Sequence, residues 1–404
     1  MSRTLHRRGY GALLGHCALI VAHVAASQVT GAEPPTRPAA EPIYPRIAML
    51  WSRASGLKES RWANIARHDV IVSGVEDVGL EWTPNRHRAM VETLVTESTG
   101  AGRESLDRIA KLNPQAVVLL EVYFFEDDRK AYPPEHAWWL RDDKGRKKTF
   151  WPGTWRMDLG NAEYVSHVAR RIAAVRKASG GRAGVFLDNL RFDAASKATW
   201  VSLLRQVRVL CGEEMPILVN AGWDSTDLDF VVPYVNGVMY EDSLHHLPDD
   251  ANDPEAFYAR VAALDAKLRK PTISVNEVFG KRRDPRIMRR ELLRTLVYTD
   301  TAFLYSDSTH GHKHAWFPVW DVPLGRPLDP AVTPRPGRLA RRRFEGGEVL
   351  WLPNTAEGPV EVDLNAPMRH VFAGQTVRGL KLSPGAGALL LRAGGAATRS
   401  SAGR

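Results

Sequence analysis

The chain has 404 residues, 44% of them hydrophobic and 25% charged, which suffices for one large domain with a buried core and a second, smaller domain. The net charge is +9, but no RNA- or DNA-binding motif accompanies the scattered Lys and Arg residues, which argues against a nucleic acid partner. This charge indicates a solvated basic surface or, as the sharper alternative, attraction to an acidic polymer or an anionic envelope surface.

The first 32 residues have the pattern of a secretory signal peptide. Three arginines within the first eight residues form a positive segment, the mostly apolar stretch 11–26 follows it, and small residues then offer cleavage sites after Ala26 or Ala32. We therefore expect a secreted or periplasmic protein, with an uncleaved membrane anchor as the alternative. Cleavage leaves one cysteine, Cys211, so we expect a buried structural thiol and no internal disulfide.

Residues 33–45, rich in Pro and Ala, are predicted to form a linker, and residues 46–335 a (β/α)8 TIM barrel. Short apolar runs alternate with helical patterns in the second segment, and eight such repeats fit the usual size of a closed barrel. A doubly wound open sheet is the alternative, but no Gly-rich phosphate-binding fingerprint follows the first run. The predicted strands are Ile47–Trp51, Val70–Ser73, Ala116–Tyr123, Gly184–Leu190, Pro216–Ala221, Gly237–Glu241, Thr272–Glu277 and Ala302–Ser306. The predicted helices are Ser105–Lys111, Ala162–Ala178, Trp200–Leu210, Pro254–Leu268 and Arg286–Tyr298.

Residues 336–392 are predicted to form a small C-terminal all-β sandwich domain. Short alternating segments with turn signals replace the helical pattern there. The predicted strands are Glu348–Leu352, Val360–Leu364, His370–Phe372, Leu380–Leu382 and Ala388–Leu391. Residues 393–404, composed mainly of Gly, Ala, Ser and Arg, are expected to be a frayed tail.

The polar residues that end the predicted strands are the candidate site, because the active site of a closed barrel lies at the C-terminal ends of its strands. They combine carboxylates, amides and aromatic rings. Cleavage of a glycosidic bond uses two carboxyl groups, while aromatic side chains pack on sugar rings and amides bind hydroxyls. The candidate substrate-binding residues at the strand ends are Trp51, Glu121, Tyr123, Asn189, Asn220, Tyr240, Glu277 and Asp307.

The loop region 138–155 adds several tryptophans to this prediction. Exposed aromatic side chains in long loops are costly without a ligand, so we expect the Trp138–Trp139 pair and Trp155 to border a sugar cleft. Trp155 is therefore a further candidate for substrate binding.

Two short segments carry a resemblance to a known group of enzymes. Residues 184–190 read Gly-Val-Phe-Leu-Asp-Asn-Leu and contain Asp188, and residues 237–243 read Gly-Val-Met-Tyr-Glu-Asp-Ser and contain Glu241. They resemble the fourth and sixth strands of barrel proteins related to the endo-α-1,4-polygalactosaminidases and to the wider set of hypothetical glycosyl hydrolases. The resemblance implies a glycoside hydrolase with Asp188 as nucleophile and Glu241 as acid/base. Asn189, directly after Asp188, and the nearby Asp193 are a departure that bears on the acidic set of that family. The identity of the substrate is not carried over from the resemblance.

The surroundings of the two carboxyl groups predict the same division of roles. Glu241 follows Tyr240 and is expected to lie among aromatic rings, which would raise its pKa and keep it protonated. Asp188 is expected to receive hydrogen bonds from Asn189 and Asn220, which favour its ionised form. Glu277, at the end of the seventh predicted strand, is the alternative acid.

Other classes of function remain open alternatives. One is a catalytically inactive barrel that binds polysaccharide with the same aromatic rim. Another is a metal-dependent hydrolase, for which His310, His312 and His314 would converge with the His245–His246 pair on one ion. We expect neither a metal nor a cofactor, and a polysaccharide or oligosaccharide as the partner.

Overall fold

The computed structural model of the protein describes residues 42–190, 194–246, 253–309 and 311–392. The predicted signal peptide, most of the predicted linker and the predicted tail lie outside these residues. Within the described ranges, no helix is long and apolar enough to cross a membrane. The strands are β1 (Ala48–Leu50), β2 (Val70–Ser73), β3 (Val117–Glu121), β4 (Glu126–Asp128), β5 (Thr154–Arg156), β6 (Gly184–Leu187), β7 (Ile217–Asn220), β8 (Gly237–Glu241), β9 (Val275–Gly280), β10 (Ala302–Asp307), β11 (Ala340–Phe344), β12 (Gly347–Trp351), β13 (Val360–His370), β14 (Thr376–Leu382) and β15 (Gly387–Arg392). The helices are α1 (Arg61–Ile65), α2 (Thr96–Leu112), α3 (Ala162–Ala178), α4 (Ala194–Cys211), α5 (Ser243–His246), α6 (Pro254–Asp265) and α7 (Pro285–Tyr298), with short 3-10 helices at Glu76–Val78, Arg88–Met90 and Pro318–Asp321.

Eight parallel strands form the barrel, which confirms the predicted fold class. Their order is β1-β2-β3-β6-β7-β8-β9-β10. The barrel closes where the Phe303 N–H donates to the Arg46 carbonyl at 2.9 Å and Ile47 forms a parallel bridge with Phe303. The antiparallel hairpin of β4 and β5 lies in the excursion between β3 and β6. All eight predicted strands thus correspond to barrel strands.

Alternate residues of the barrel strands face two different cores. One set fills the barrel interior and includes Leu50 of β1, Phe186 of β6 and Met239 of β8. Their neighbours along the strands, such as Met49 and Tyr240, pack outward against the helices. This period of two decides which strand-end residues can reach the barrel mouth.

Capping residues explain why several helices begin where they do. Asn161 accepts from the N–H groups of Glu163 and Tyr164 at the start of α3. Asp253 and Asp284 cap α6 and α7, and each is followed by a proline at the first helical position, where no N–H is needed. These local signals are readable in the sequence, and the starts of these helices were predicted within one residue.

Other boundaries differ from the prediction. Helix α2 begins at Thr96 rather than at Ser105, because Gly100 and Gly102 obscure its helical pattern. Gly102 permits close packing there: a Cβ at this position would lie 2.4 Å from the Leu80 side chain. Helix α4 likewise begins at Ala194 rather than at Trp200, and the seventh barrel strand extends to Gly280 rather than ending at Glu277. Cys211, at the end of α4, is half-buried, and burial raises the pKa of its thiol, which fits an inert side chain.

The C-terminal region is all-β, as predicted. Its five antiparallel strands form one hydrogen-bonded sheet in the order β11-β12-β15-β13-β14, and β11 was missed in the sequence. The predicted strand at His370–Phe372 is the end of β13, whose pairing shifts register between Asp363 and Met368. Apolar side chains from four of the strands enclose a separate core, which consists of Leu350, Leu352, Val362, Leu364, Met368, Leu382, Ala388 and Leu390.

Helix α7 and its flanks connect this sheet to the barrel. The buried guanidinium of Arg342 donates to the carbonyls of Leu296 at 2.9 Å and Thr299 at 2.7 Å. Trp351 Nε1 donates to Glu255 Oε1 at 3.1 Å. The predicted linker also ends earlier than expected, because Tyr44 is buried and its N–H donates to the Gly325 carbonyl at 2.9 Å.

Candidate active site

Strand alternation brings five predicted site residues to one mouth of the barrel. Each stands two positions after a residue of the interior core and therefore faces the same side of its strand. The interior residues are Leu119, Phe186, Leu218, Met239 and Val275. The corresponding mouth residues are Glu121, Asp188, Asn220, Glu241 and Glu277.

Asn220 links the two carboxyl groups predicted to be catalytic. Its Nδ2 donates to Asp188 Oδ1 and to Glu241 Oε2, both at 2.7 Å. The Gly222 N–H donates to Asn220 Oδ1 at 2.8 Å, which fixes the amide with its nitrogen toward the carboxyl groups. Asn189 Nδ2 donates to Asp188 Oδ2 at 2.9 Å. The two amide donors expected for Asp188 are therefore both present.

The charge balance at Asp188 differs from the sequence-based expectation. Burial and the charge of Glu241 raise the pKa of Asp188, and they outweigh the hydrogen bonds from Asn220 and Asn189, which lower it. Two carboxyl groups this close disfavour a doubly ionised state. The pKa of Asp188 therefore lies above its ordinary value despite its two amide donors.

His312 connects Glu241 to Glu277. Its Nδ1 donates to Glu277 Oε1 at 2.9 Å, and its Nε2 lies 4.0 Å from Glu241 Oε1. Burial lowers the pKa of His312, but the charge and hydrogen bond of Glu277 and the charge of Glu241 outweigh it and raise that pKa to about 9. Glu277 has 0% side-chain exposure and also accepts a hydrogen bond from the Ser306 hydroxyl. Glu277 is thus a buried partner of His312. The sequence had offered no signal for this contact.

Glu121 and Trp51 form the neighbouring part of the mouth. Trp51 Nε1 donates to Glu121 Oε2 at 2.9 Å, and the Trp51 ring packs edge-on against His312 with centroids 4.6 Å apart. Burial and the charge of Asp188 raise the pKa of Glu121 to about 8, although the Trp51 hydrogen bond lowers it. At neutral pH this carboxyl group can therefore donate as well as accept hydrogen bonds.

Strained backbone marks the ends of three of these strands. Trp51 follows β1 with φ of 50°, Asn189 follows Asp188 with φ of 59°, and Asp242 follows Glu241 with φ of 51°. A bulky side chain in the left-handed region is unfavourable, and such strain concentrates at functional sites. Its position beside both candidate catalytic residues is an independent indication of a functional centre.

Two predicted binding residues do not face the mouth. Tyr240 is 1% exposed, packs on Phe257 with ring centroids 6.0 Å apart, and lies on the outer side of the barrel wall. It therefore cannot supply an aromatic environment to Glu241, and the prediction that Tyr240 lies at the mouth was wrong. Asp307 is held within its own loop: its Oδ1 accepts from the Thr309 N–H at 3.0 Å and its Oδ2 from Arg282 Nε at 2.8 Å. It orders the polypeptide leading to His312.

The predicted aromatic loop is mainly a packing element. Trp138 and Trp139 are 5% and 2% exposed, which overturns the prediction that they border a cleft. Trp155 is half-buried. The centroid of its ring lies 5.1 Å from that of Trp139 and 4.5 Å from Lys147 Nζ. Trp151, with 44% exposure, is the exposed tryptophan of this region.

A cavity of about 250 Å³ adjoins Glu121, and sequence reasoning had identified three of its residues. Trp51, Glu121 and Tyr123 line it together with side chains from distant segments. The Arg171 guanidinium lies 4.2 Å from the centroid of the Trp82 ring on one wall. The remaining lining residues are Gly74, Val75, Glu76, Asp77, Arg88, Ala89, Val122 and Asp127. Most of these residues carry no strand-end signal, so the sequence alone did not indicate them.

His312 and His314 do not converge on one point. His314 Nε2 lies 2.9 Å from His68 Nε2 in the core, whereas His312 faces the carboxylates. His310 and the side chains of His245 and His246 lie outside what the structure describes. Glu241, Glu277 and His312 offer atoms within 4.8 Å of one another, a spacing that a metal ion could use. The same positions also fit an imidazolium of His312 that pairs with the two carboxylates.

Several solved structures are similar to this chain at low sequence identity, and two of them, with TM-scores of 0.50 or above, share its fold. Eubacterium rectale Amy13B is 8% identical, with a TM-score of 0.52, over 88% of this chain and 97% of that one. The type I pullulanase of Bacillus subtilis, complexed with maltose, is 11% identical, with a TM-score of 0.50, over 89% of this chain and 72% of that one. The Ega3 protein of Aspergillus fumigatus, complexed with galactosamine, is 10% identical over 68% and 96% of the two chains, with a TM-score of 0.39.

The family comparison agrees with the resemblance seen in the two strand segments. No curated protein sequence matches the chain significantly. The model of hypothetical glycosyl hydrolase family 15 matches residues 124–348, which is more than half of the chain and includes Asp188, Glu241 and His312. The barrel, its C-terminal all-β domain and this match agree, and the chain is therefore a glycoside hydrolase that belongs to hypothetical glycosyl hydrolase family 15.

Proposed function

We propose that the protein is an exported glycoside hydrolase that cleaves a polysaccharide by a retaining mechanism, with Asp188 as nucleophile and Glu241 as acid/base. The observation that carries this proposal is the amide of Asn220, which donates to both carboxyl groups at 2.7 Å. The two groups can therefore lie on either side of one glycosidic bond. Both project from rigid strands into the same mouth, which is the arrangement that two-carboxylate catalysis requires.

The spacing of the pair favours retention over inversion. Because each hydrogen bond to Asn220 Nδ2 is 2.7 Å long, the two bonded oxygens are separated by at most about 5.4 Å. Carboxyl groups of retaining glycosidases lie about 5 to 5.5 Å apart, whereas inverting enzymes leave about 6.5 to 9.5 Å for a water molecule. Direct attack by one carboxylate on the anomeric carbon fits the shorter separation.

A bound substrate can decide which of the two carboxyl groups carries a proton. In the protein itself, burial and the charge of Glu241 raise the pKa of Asp188. A bound glycosidic oxygen beside Glu241 accepts a hydrogen bond from its protonated form, and the developing positive charge at the anomeric carbon favours ionised Asp188. Glu241 then protonates the leaving oxygen while Asp188 forms the glycosyl-enzyme bond. In the second step, Glu241 removes a proton from the water that releases the sugar.

His312 and Glu277 support the acid step. As Glu241 gives up its proton it becomes an anion, and the imidazolium of His312 lies 4.0 Å away to stabilise that charge. Glu277, hydrogen-bonded to His312 Nδ1, keeps the imidazole oriented and protonated. Glu277 was the alternative candidate for the general acid. We assign it a positioning role instead, because its side chain is fully buried and is paired with His312.

The geometry also weighs against an inactive binding barrel. Such a barrel would have its acids too far apart for catalysis or Asp188 neutralised by a cation. Here the acids share one amide donor, and Asp188 is hydrogen-bonded to the amides of Asn189 and Asn220.

The test is release of reducing ends from a panel of neutral, acidic and amino-sugar polysaccharides. Asp188→Asn and Glu241→Gln should each abolish release without lowering the melting temperature by more than a few degrees. Asp229→Asn, which removes an exposed acid that pairs with Lys267, is the matched control and should be fully active. Proton NMR of the first product formed should give the anomer of the substrate linkage. The opposite anomer, or full activity in Glu241→Gln and none in Glu277→Gln, would refute the mechanism.

Export is the remaining part of the proposal, and it rests on the charged and apolar segments of residues 1–32. Expression of the full chain, fractionation and N-terminal sequencing should locate the mature protein outside the cytoplasm, beginning after Ala26 or Ala32. Full-length protein with an intact residue 1–26 segment in the membrane fraction would favour the anchor instead.

A further inference from the structure

A second cavity, of about 420 Å³, lies beside the candidate active site. It shares Trp51 and Asp77 with the first cavity, so the two meet at the Trp51 ring. The other lining residues are Met49, Ser52, Arg53, Ser55, Arg61, Ile65, Ser73, Arg282, Lys313 and His314. They come from the ends of β1 and β2, from α1 and from the loops that follow β9 and β10. The cavity therefore opens at the same end of the barrel as the catalytic pair.

The charge of this cavity is positive. Four cations line it, Arg53, Arg61, Arg282 and Lys313, against the single carboxylate of Asp77. Arg61 and Asp77 form an exposed ion pair at 3.8 Å, and Arg282 Nε binds Asp307 Oδ2 at 2.8 Å. Neither Arg53 nor Lys313 has an ion-pair partner among the residues that the structure describes. Two positive charges are thus left without a counter-charge on the cavity wall.

The lining of the first cavity is richer in carboxyl groups. Its lining contains the carboxyl groups of Glu76, Asp77, Glu121 and Asp127 against two arginines. A sugar chain that passes over Trp51 would therefore meet acidic groups on one side and basic groups on the other. A negatively charged substituent is favoured on the basic side, because guanidinium and ammonium groups bind carboxylates and sulfates through charge-assisted hydrogen bonds.

Trp51 and His312 connect the second cavity to the catalytic pair. Trp51 packs on His312 with ring centroids 4.6 Å apart, and His312 Nε2 lies 4.0 Å from Glu241. Lys313 follows His312 directly, so the loop that supports the acid also supplies a cation to the cavity. A ring stacked on Trp51 could then place its substituent between Lys313 and Arg53.

We propose that this basic cavity is a subsite for a sugar carrying an anionic substituent, and hence that the polysaccharide substrate is acidic. The inference rests on the proposed glycosidase function and adds the chemical class of its substrate. A uronic acid carboxylate and a sulfate ester present the same charge to the site, and the experiment separates them.

Binding is measured by calorimetry with the Glu241→Gln protein, so that no probe is hydrolysed. The probes are tetrasaccharides of galacturonic acid, of sulfated galactose and of neutral galactose. We expect one of the anionic probes to bind at least tenfold more tightly than the neutral one, with an advantage that falls as salt is raised. The anionic probe that binds more tightly identifies the substituent.

Arg53→Gln and Lys313→Gln, each added to Glu241→Gln, should remove most of this advantage and leave the affinity for the neutral probe unchanged. Lys381→Gln, which removes an exposed cation of the C-terminal sheet, is the control and should preserve it. Equal affinity for all three probes, or an anionic preference that survives both substitutions, would overturn the subsite while hydrolysis by the wild type still supported the proposed function. If the wild type cleaves no polysaccharide and the Glu241→Gln protein binds none of the probes, the proposed function fails, and the subsite with it.

Discussion

The contact between His312 and Glu277 gives a prediction that can be made quantitative. Glu277→Gln removes the negative charge beside His312 Nδ1 and keeps nearly the same side-chain volume. In the wild type, burial opposes the imidazolium, yet the charges of Glu277 and Glu241 raise the pKa of His312 from 6.5 to about 9. At about 1.4 kcal/mol per pKa unit, the folded protein stabilises the protonated form by about 3 kcal/mol relative to the unfolded chain.

The sign of the pH dependence follows from the direction of this shift. Because the pKa of His312 is raised on folding, its stabilisation is fully present below pH 6.5 and is lost as the pH rises through about 9. The Glu277→Gln protein should lack most of this stabilisation of protonated His312. Burial still disfavours the imidazolium in that protein, whereas the negative charge of Glu277, which favoured it, is gone. Its free energy of unfolding should therefore fall about 3 kcal/mol below that of the wild type at pH 6 and approach it near pH 10.

Urea unfolding followed by tryptophan fluorescence at pH 6, 8 and 10 measures this difference. Asp265, whose pKa burial raises to about 7, titrates in both proteins and cancels in the comparison. Ser306→Ala removes the other hydrogen bond to Glu277 without a change of charge, and its pH dependence should follow the wild type. Parallel stability curves for wild type and Glu277→Gln, or an NMR titration of His312 near pH 6.5 in the wild type, would refute this account.

Three further predictions follow from the packing and hydrogen bonds. Asn220→Ala removes the donor shared by the catalytic pair and should lower kcat by about 100-fold or more with little change in melting temperature; a kcat within threefold of wild type would contradict its role. Trp138→Ala should cost about 3 to 5 kcal/mol in urea unfolding, because the ring is buried, whereas Trp151→Ala should cost little; equal losses would show that the loop packs differently. Arg342→Met should destabilise the protein by about 3 kcal/mol, because Asp300 and the carbonyls of Leu296, Thr299 and Asp329 lose their buried donor; an unchanged unfolding midpoint would argue against this anchor.

The sequence by itself determined the barrel and the types of side chain at its mouth, because both depend on local patterns. Apolar runs that end in a polar residue identify parallel strands, and the Asp-Pro pairs before α6 and α7 identify helix starts. The same alternation could have excluded Tyr240 from the site, since it lies next to Met239 of the interior and must face outward. The prediction treated every polar residue near the end of a strand as facing the mouth. Successive side chains of a strand point to opposite faces, so only alternate residues can do so.

Only the tertiary structure decided how the side chains of the mouth meet. His312 and Glu277 are 35 positions apart, and their contact depends on the path of the loop after β10. The burial of Trp138 and Trp139 depends on α3 and on the excursion between β3 and β6, although their composition suggested an exposed cleft. The raised pKa of Asp188 likewise depends on burial and on Glu241, a carboxyl group from another strand. Local sequence encodes the period and the ends of strands and helices, whereas desolvation and contacts between distant loops exist only once the barrel has closed.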